Sequence, residues 1–381
     1  MMPFSVSSLL ARLSLLIAPL AMAHAAEPPP AYAGVWSGTI GKSAVMVCLS
    51  SNTSQYYYRK MRKGLVLNGA DATDPFKALE AGLRSGHLHL LEQKSPVPGQ
   101  PDTVTGRWQM QPGAVGELVG TWSDSAGQKT WPIRLQRLNP SGPQAQEQWA
   151  EDCPSAYFQP LKDAVHWTTK PAAFAGKSYQ MMSTPFADAL QLPAEMPAAR
   201  KINPMAQAWL KEQAVALYSC RINGGTGEDW SAALAPKGWN DKFLVLEDSL
   251  SEVFCGGAHG NASLGISTFD LDNGAKVNTW GWIKGGQKAA EVAVDKDYQP
   301  TLSRLRALLE KHNPRTDGVC GEAAPQMSIF DPYPTAKGLV FNTHFFHALR
   351  ACNDEIILSW KQMAPFLTPA GQAAAQQAVR P

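Results

Sequence analysis

The run Ala44-Val45-Met46-Val47-Cys48-Leu49 decides how the first part of this sequence folds. Val45, Val47 and Leu49 alternate with their neighbours at a period of two, which is typical of a β-strand. Similar short runs lie at 87–90 and 131–136, and glycine, asparagine, aspartate or proline bounds each of them. Several such runs in succession predict an antiparallel β meander or small barrel between residues 32 and 138.

The second half of the chain mixes helical and strand patterns. Leucines at 302, 305, 308 and 309 form a helical stripe, and Thr368-Pro369 marks the start of a last helix. Asn203-Pro204 has the pattern of a cap followed by proline, so we expect a helix to begin there. Strand-like runs at 243–246, 253–255, 264–271 and 338–346 alternate with these helices. This order predicts an α+β domain with an antiparallel sheet and packed helices.

The N-terminus has the features of a secretory signal. Arg12 precedes a short apolar run, and small residues at Ala23 and Ala25 form an A-x-A cleavage site. We expect residues 1–25 to be removed and the mature chain to be periplasmic or secreted. No later apolar stretch is long enough to span a bilayer, so no membrane span is expected after signal removal.

A proline- and glycine-containing segment, Asn139-Pro140-Ser141-Gly142-Pro143, interrupts the periodic patterns. Such a segment is typical of a linker. It predicts a β-rich domain at residues 32–138 and an α+β domain at residues 144–381. We expect the two domains to fold separately.

The six cysteines of this chain indicate disulfides, because an even number in an exported protein is typical of them. A metal site would need close pairs such as C-x-x-C, and the sequence has none. Six cysteines allow about fifteen complete pairings. Proximity along the predicted elements favours three pairs: Cys220 with Cys255, Cys320 with Cys352, and Cys48 with Cys153.

Residues 255–261, Cys-Gly-Gly-Ala-His-Gly-Asn, form the most distinctive candidate site. Two consecutive glycines let the backbone turn sharply or approach a ligand, and a histidine can serve as a ligand or general base. The candidate ligand-binding residues are Gly256, Gly257, His259 and Asn261. The alternative is a tight structural turn whose histidine bonds to backbone, which the lack of a nearby partner residue favours.

A second candidate is the basic, aromatic stretch at 56–63, Tyr-Tyr-Tyr-Arg-Lys-Met-Arg-Lys. Interleaved rings and cations suit contact with a sugar or an anionic polymer, which makes Tyr57 and Arg59 candidate ligand-binding residues. The alternative is a strand with an aromatic core face, followed by a solvated basic turn. We favour this alternative, because charged groups usually face water.

The phrases at 255–261, 267–274, 338–341 and 356–367 occur in an order that resembles a known family. It is the RsiV-like extracytoplasmic domain family, which includes lysozyme-sensing anti-sigma factors and many envelope proteins of unknown function. The resemblance covers roughly residues 203–367 and implies an α+β binding domain, with lysozyme or another wall-related ligand as partner. Anti-sigma activity is not implied, because no membrane span or sigma-binding part is present in the sequence.

The formal net charge of +2 gives no reason to expect nucleic acid as a partner. Neither G-x-S-x-G nor H-E-x-x-H occurs, and no cofactor or metal is expected. The leading prediction is a periplasmic non-enzymatic binding protein that recognises lysozyme, another envelope protein or a glycan. The alternative is a cell-wall or polysaccharide hydrolase that uses His259 with Asp270 or another nearby acidic residue.

Overall fold

The structure is a computed structural model. It describes residues 31–51, 54–71, 73–94, 103–138, 153, 155–222, 229–255, 260–286, 300–315, 318–323, 328–329, 332–345 and 347–379. The predicted signal peptide and the predicted linker at 139–143 lie outside these ranges. Among the described residues, no helix combines the length and apolar character needed to cross a membrane.

The N-terminal part is a closed barrel of eight antiparallel strands, each paired with its neighbours in the chain and the last paired with the first. Alternate residues point inward and pack tightly, among them Trp36, Tyr56, Trp108 and Leu135, all nearly or fully buried. The expected small barrel is therefore confirmed. Its strands are β1 Gly34–Ile40, β2 Ser43–Leu49, β3 Gln55–Tyr58, β4 Gly64–Gly69, β5 Leu88–Lys94, β6 Thr103–Pro112, β7 Glu117–Asp124 and β8 Thr130–Arg137.

One helix, α1 (Pro75–Ser85), joins β4 to β5 and buries Leu79 and Leu83 in the barrel core. Asp74 caps its first turn by accepting a hydrogen bond from the Lys77 amide. Gly86 ends the helix in the left-handed conformation, which glycine adopts without steric cost. This well-capped helix therefore covers one end of the barrel.

The C-terminal part contains a second layer, a seven-stranded sheet in the order β15-β14-β13-β12-β11-β10-β9. Helix α2 (Ser155–Asp163) precedes it, and the long helix α3 (Ala199–Ile222) connects β11 to β12, which are parallel while the other pairs are antiparallel. Apolar side chains of α3 pack on one face of this sheet. The strands are β9 Thr168–Phe174, β10 Lys177–Ser183, β11 Ala187–Gln191, β12 Ala232–Trp239, β13 Phe243–Val253, β14 Asn261–Asp270 and β15 Lys276–Val277.

A smaller sheet packs on the opposite face of the second layer, where Val245 and Ile266 contact Tyr333 and Val340. Its strands are β16 Ser328–Ile329, β17 Tyr333–Pro334, β18 Gly338–His344 and β19 Glu355–Ser359. The α-helices within the described residues of this part are α4 Pro300–His312, α5 Gly318–Ala323, α6 Trp360–Met363 and α7 Pro369–Ala378. Short 3₁₀ helices lie at Thr279–Trp282, His347–Cys352 and Ala364–Phe366. The expected α+β organisation of the C-terminal half is confirmed.

All three expected helices are present, but the predicted start of one of them is wrong. The leucine stripe lies on α4, and Thr368 caps α7 by accepting a hydrogen bond from the Gly371 amide. Helix α3, by contrast, begins at Ala199, so Pro204 lies inside it. Asn203 is not its cap, because its side chain bonds to the amide and carbonyl of Leu192 and fixes the incoming chain.

The barrel packs directly against α2 and α3. Tyr57 on the outer face of β3 contacts Tyr157 of α2 and Tyr218 of α3, and all three rings are buried. Gly64 leaves room for this contact, since a Cβ there would lie 2.7 Å from Cε2 of Tyr218. A common apolar cluster therefore includes residues from both predicted domains; their separate folding stays a prediction.

Candidate functional site

The stretch at 56–63 forms the inward and outward faces of β3 and the basic turn that follows it. Tyr57 is fully buried, and its hydroxyl donates to the Tyr157 carbonyl oxygen at 2.9 Å. Burial raises the pKa of the Tyr57 hydroxyl, so the group stays neutral. Arg59 is exposed at the start of the turn. Tyr57 is therefore a packing residue rather than a ligand contact, because its ring and its hydroxyl both contact α2.

The glycine-rich phrase lies largely outside the described residues, including Gly256, Gly257 and His259. Cys255 and the backbone of Asn261, which begins β14, bound it on either side. The roles of Gly256, Gly257, His259 and Asn261 as ligand-binding residues therefore stay predictions.

Asp270, the acidic partner in the hydrolase alternative, is held in an ion pair with Lys242. The ammonium group lies 2.8 Å from one carboxylate oxygen of Asp270 and 2.6 Å from Asp272. The hydrogen bonds that the Lys242 ammonium donates to these two carboxylates raise its pKa. Asn261 and Asp270 occupy opposite ends of a ten-residue strand, a separation of roughly 30 Å at the usual rise per residue. Asp270 therefore lies far from the described start of β14, and its carboxylate is held by Lys242.

All six cysteines are paired in three disulfides, with the connectivity expected from the sequence. The Cα atoms of Cys220 and Cys255 lie 4.5 Å apart, and this bridge ties the end of α3 to the end of β13. The bridge between Cys48 and Cys153 joins β2 to the segment before α2, with Cα atoms 5.7 Å apart. Three disulfides fit a protein of an oxidising, extracytoplasmic compartment.

A cleft of about 550 Å³ lies where the barrel meets the helices. Five segments line it: the β3–β4 turn, the end of α2, the β10–β11 turn, the C-terminal half of α3, and Trp230 just before β12. Its lining residues are Arg62, Leu161, Ala164, Val165, His166, Pro185, Phe186, Ala214, Leu217, Tyr218, Arg221 and Trp230.

One side of the cleft is aromatic and rigid. Phe186, Leu217 and Trp230 pack together with the Cys220–Cys255 bridge, which lies behind this wall. Trp230 is 9% exposed, and its buried indole Nε1 has no hydrogen-bond partner within the described part of the chain. The wall is therefore fixed by a covalent bond and by packing before any ligand arrives.

The floor of the cleft is fixed by a buried hydrogen-bond chain. The hydroxyls of Tyr218 and Tyr157 lie 2.7 Å apart, and Tyr218 donates to Oε1 of Gln55 at 3.1 Å. Gln55 in turn donates to the sulfur of Cys153 at 3.2 Å. Burial raises the pKa of Tyr218 and of Tyr157 above the ordinary tyrosine value. The chain keeps neutral hydroxyls beneath the cleft and joins the barrel to both helices.

The charged groups that line the cleft are cationic. Arg62 comes from the barrel turn, and Arg221 comes from the last turn of α3. The described lining contains no aspartate or glutamate. The cleft therefore combines an apolar aromatic wall with two arginines.

Among the comparisons with known proteins, the search of solved structures gives distant similarities. No family model matches the chain, and no curated protein sequence matches it. A solved DUF3298 family protein from Pseudomonas aeruginosa PAO1 is similar over 55% of this chain and 97% of its own, at 15% identity and a TM-score of 0.33. The RsiV-like resemblance in particular stays a prediction.

The sequence patterns do not predict this cleft, although the basic stretch at 56–63 contains one of its lining residues. Arg62 belongs to the basic stretch, but Phe186, Arg221 and Trp230 come from separate elements with no shared motif. A weak signal was available, because Arg221 directly follows a cysteine that was expected to bridge α3 to the sheet.

Within the described ranges, no group of three or more histidine, cysteine, aspartate or glutamate side chains is placed to hold a metal ion.

Proposed function

We propose that this protein is a non-enzymatic binding protein of the bacterial envelope that holds a wall-related ligand in the cleft between the barrel and α3. The observation that carries the proposal is the lining of that cleft, which combines two arginines with an apolar aromatic wall. Its volume of about 550 Å³ suits a ligand the size of one or two sugar rings or a short peptide.

Preorganisation supports a binding role for the cleft. The disulfide behind the aromatic wall and the tyrosine hydrogen bonds beneath the floor hold the lining residues in place. A site that is already ordered loses less conformational entropy when a ligand binds, so more of the contact energy contributes to affinity. The exposed guanidinium of Arg62 at the cleft also suits electrostatic capture of an anion from solution.

The hydrolase alternative receives less support. Its proposed acid, Asp270, is occupied by Lys242, and it lies at the far end of β14 from the glycine-rich phrase. The described cleft lining offers no carboxylate that could act as a general acid or base. We therefore retain the binding function and treat turnover of the ligand as an outcome of the test.

The test fills the cleft. Ala214→Trp places an indole in the lining, whereas Ala81→Trp places the same side chain on the exposed face of α1 and serves as the matched control. Native mass spectrometry with soluble muropeptides from digested peptidoglycan should show a bound ligand of unchanged mass for the wild type and the control. We expect Ala214→Trp to lose at least nine-tenths of that complex while keeping the wild-type Tm.

Two results would count against the proposal. Retention of the muropeptide complex by Ala214→Trp would place the ligand elsewhere, and cleavage of the muropeptides by the wild type would favour the hydrolase. Lysozyme is the second probe after the muropeptides, because the family resemblance suggests it as a partner. Binding of lysozyme that Ala214→Trp does not weaken, with no muropeptide bound, would replace the cleft by a protein-docking surface.

A further inference from the structure

One end of the barrel is formed by turns that are joined to their neighbouring strands. Successive strands of this barrel run in opposite directions, so the turns that follow β1, β3 and β7 lie at the same end. The Gly41 amide donates to the Pro132 carbonyl oxygen of β8 at 2.8 Å. The Arg59 amide donates to the Ala44 carbonyl oxygen of β2 at 3.0 Å. We call the surface made by the turns at 41–42, 59–63 and 125–129 the basic rim.

The basic rim presents a set of exposed cations. None of them forms an ion pair within the described part of the chain. Asp124, at the end of β7, uses its carboxylate to accept hydrogen bonds from the amides of Gln128 and Lys129 and so closes its own turn. Cations that share one face repel each other, and an anionic surface opposite them relieves that repulsion. The exposed cations are Lys42, Arg59, Lys60, Lys63 and Lys129.

The opposite end of the barrel, where α1 lies, has a different charge pattern. There Lys77 is paired with Asp74 at 3.0 Å, and Arg84 is paired with Glu80 at 2.9 Å. Asp71 adds a further carboxylate, which accepts hydrogen bonds from the amide and the hydroxyl of the residue at 73. The excess of cations without ion pairs is therefore a property of the basic rim rather than of the barrel as a whole.

An exposed apolar side chain lies at the tip of the basic rim. The amides of Met61 and Arg62 both donate to the Tyr58 carbonyl oxygen, so the chain reverses direction at 59–61. Met61 is 61% exposed and has a cation on either side of it in the sequence. Exposure to water does not stabilise an apolar side chain. At a bilayer surface, by contrast, such a side chain enters the apolar boundary while the flanking cations contact the headgroups.

A tryptophan on the same rim is held in place by the barrel interior. Trp131, near the start of β8, is 44% exposed and stacks on Trp122 with the ring centroids 4.8 Å apart. The Trp122 indole in turn donates to the buried carboxylate of Glu92 at 2.7 Å. Tryptophan is enriched at membrane–water interfaces because its ring is apolar and its N–H is polar. The rim thus combines cations, an apolar tip and an exposed indole.

We propose that the basic rim docks this protein on the surface of an anionic phospholipid bilayer. The cations contact the phosphate headgroups, and Met61 enters the boundary between headgroups and acyl chains. A soluble anionic polymer would use the same cations but would leave Met61 in water, so the exposed methionine favours the bilayer. The proposal needs no ligand in the cleft, because Lys42, Lys60 and Met61 are not part of the cleft lining.

Vesicle co-sedimentation at about 0.15 M salt, where distant charges are screened, tests the role of the cations. The exported chain should bind phosphatidylcholine vesicles that contain about one-third phosphatidylglycerol, and should bind pure phosphatidylcholine at least about 10-fold more weakly. Lys42→Glu combined with Lys60→Glu should weaken binding to the anionic vesicles at least about 10-fold. The matched control combines Lys170→Glu with Lys337→Glu, two exposed lysines of the C-terminal part, and should bind like the wild type.

The apolar tip is tested with the charges left in place. Met61→Ser should weaken binding to the anionic vesicles by about 3- to 10-fold, because the inserted apolar area is lost. Phe76→Ser removes a side chain that is 69% exposed on α1, at the opposite end of the barrel, and should bind like the wild type. Dextran sulfate, a soluble polyanion, should bind Met61→Ser and the wild type equally. All of these variants alter exposed side chains and should keep the wild-type Tm.

Three results would overturn the proposal: equal binding to neutral and anionic vesicles, binding to neither, or undiminished binding by the Lys42 and Lys60 double variant. Wild-type affinity of Met61→Ser for the anionic vesicles would also overturn it, since the rim would then contact a soluble polyanion rather than a bilayer. The muropeptide experiment with Ala214→Trp judges the cleft separately. Failure of one proposal is therefore distinguishable from failure of the other.

Discussion

Glu92 shows at the scale of one residue how the barrel tolerates a buried charge. It is 3% exposed and points into the barrel, two positions beyond Leu90 on β5. Its carboxylate accepts hydrogen bonds from Tyr56 Oη at 2.6 Å, Trp122 Nε1 at 2.7 Å, Trp108 Nε1 at 3.2 Å and Thr105 Oγ1 at 2.7 Å. Four neutral donors thus solvate the carboxylate in place of water.

Removal of this acceptor should be costly. Glu92→Ala leaves the buried indole N–H donors of Trp108 and Trp122 without their acceptor and opens a cavity, so we expect a loss of roughly 3 kcal/mol or more in the free energy of unfolding. Urea denaturation followed by tryptophan fluorescence measures it, since Trp108 and Trp122 belong to the network. Glu92→Gln keeps the size and one acceptor oxygen and should lose less. A change under about 0.5 kcal/mol for Glu92→Ala would show that the network is not needed for stability.

At the scale of elements, the contact of β3 with α2 and α3 depends on neutral tyrosines. Burial raises the pKa of Tyr57, Tyr157 and Tyr218 in the folded state. The unfolded chain ionises its tyrosines above about pH 10, whereas the folded state holds these three protonated. The stability that they contribute is therefore complete below that pH and is lost as the pH rises through the tyrosine range.

Tyr157→Phe tests this dependence. At pH 8 the variant lacks the hydrogen bond to Tyr218 and should be about 1 kcal/mol less stable than the wild type. Between pH 8 and pH 11 its urea midpoint should fall less than that of the wild type, because one tyrosine with a raised pKa has been removed. Equal falls for both proteins would show that the buried tyrosine hydroxyls do not govern alkaline unfolding.

The same elements show how far sequence patterns reach. Alternation at 44–49 and 131–136 predicts a barrel because the strand period acts locally, and the leucine stripe predicts α4 for the same reason. The start of α3 was misplaced because Asn203 bonds to Leu192, a partner eleven residues away that the local pattern does not reveal. The cleft could not be predicted, since its lining depends on how the barrel packs against α2 and α3. Tyr57 had the composition of a surface contact but lies beneath α2.

At the scale of the whole molecule, one disulfide crosses the predicted domain boundary. Cys48 belongs to β2 of the barrel, and Cys153 follows the proline-rich segment at 139–143. The tyrosine cluster and the partner residues of this bridge lie on the same side of the barrel. Separation of the two halves therefore requires both a cut in the backbone and loss of a covalent bond.

Limited proteolysis tests this arrangement. The segment at 139–143 is rich in proline and glycine, and we expect cleavage in or beside it, which gives fragments near residues 32–138 and 144–381. Without reductant the fragments should migrate as one species, since Cys48 and Cys153 still join them, and reductant should release two bands. The cut protein should retain the muropeptide complex, because the tyrosine contacts and the bridge still hold the barrel against α2 and α3. Uniform resistance to the protease would count against the linker, and two bands without reductant would count against the pairing of Cys48 with Cys153.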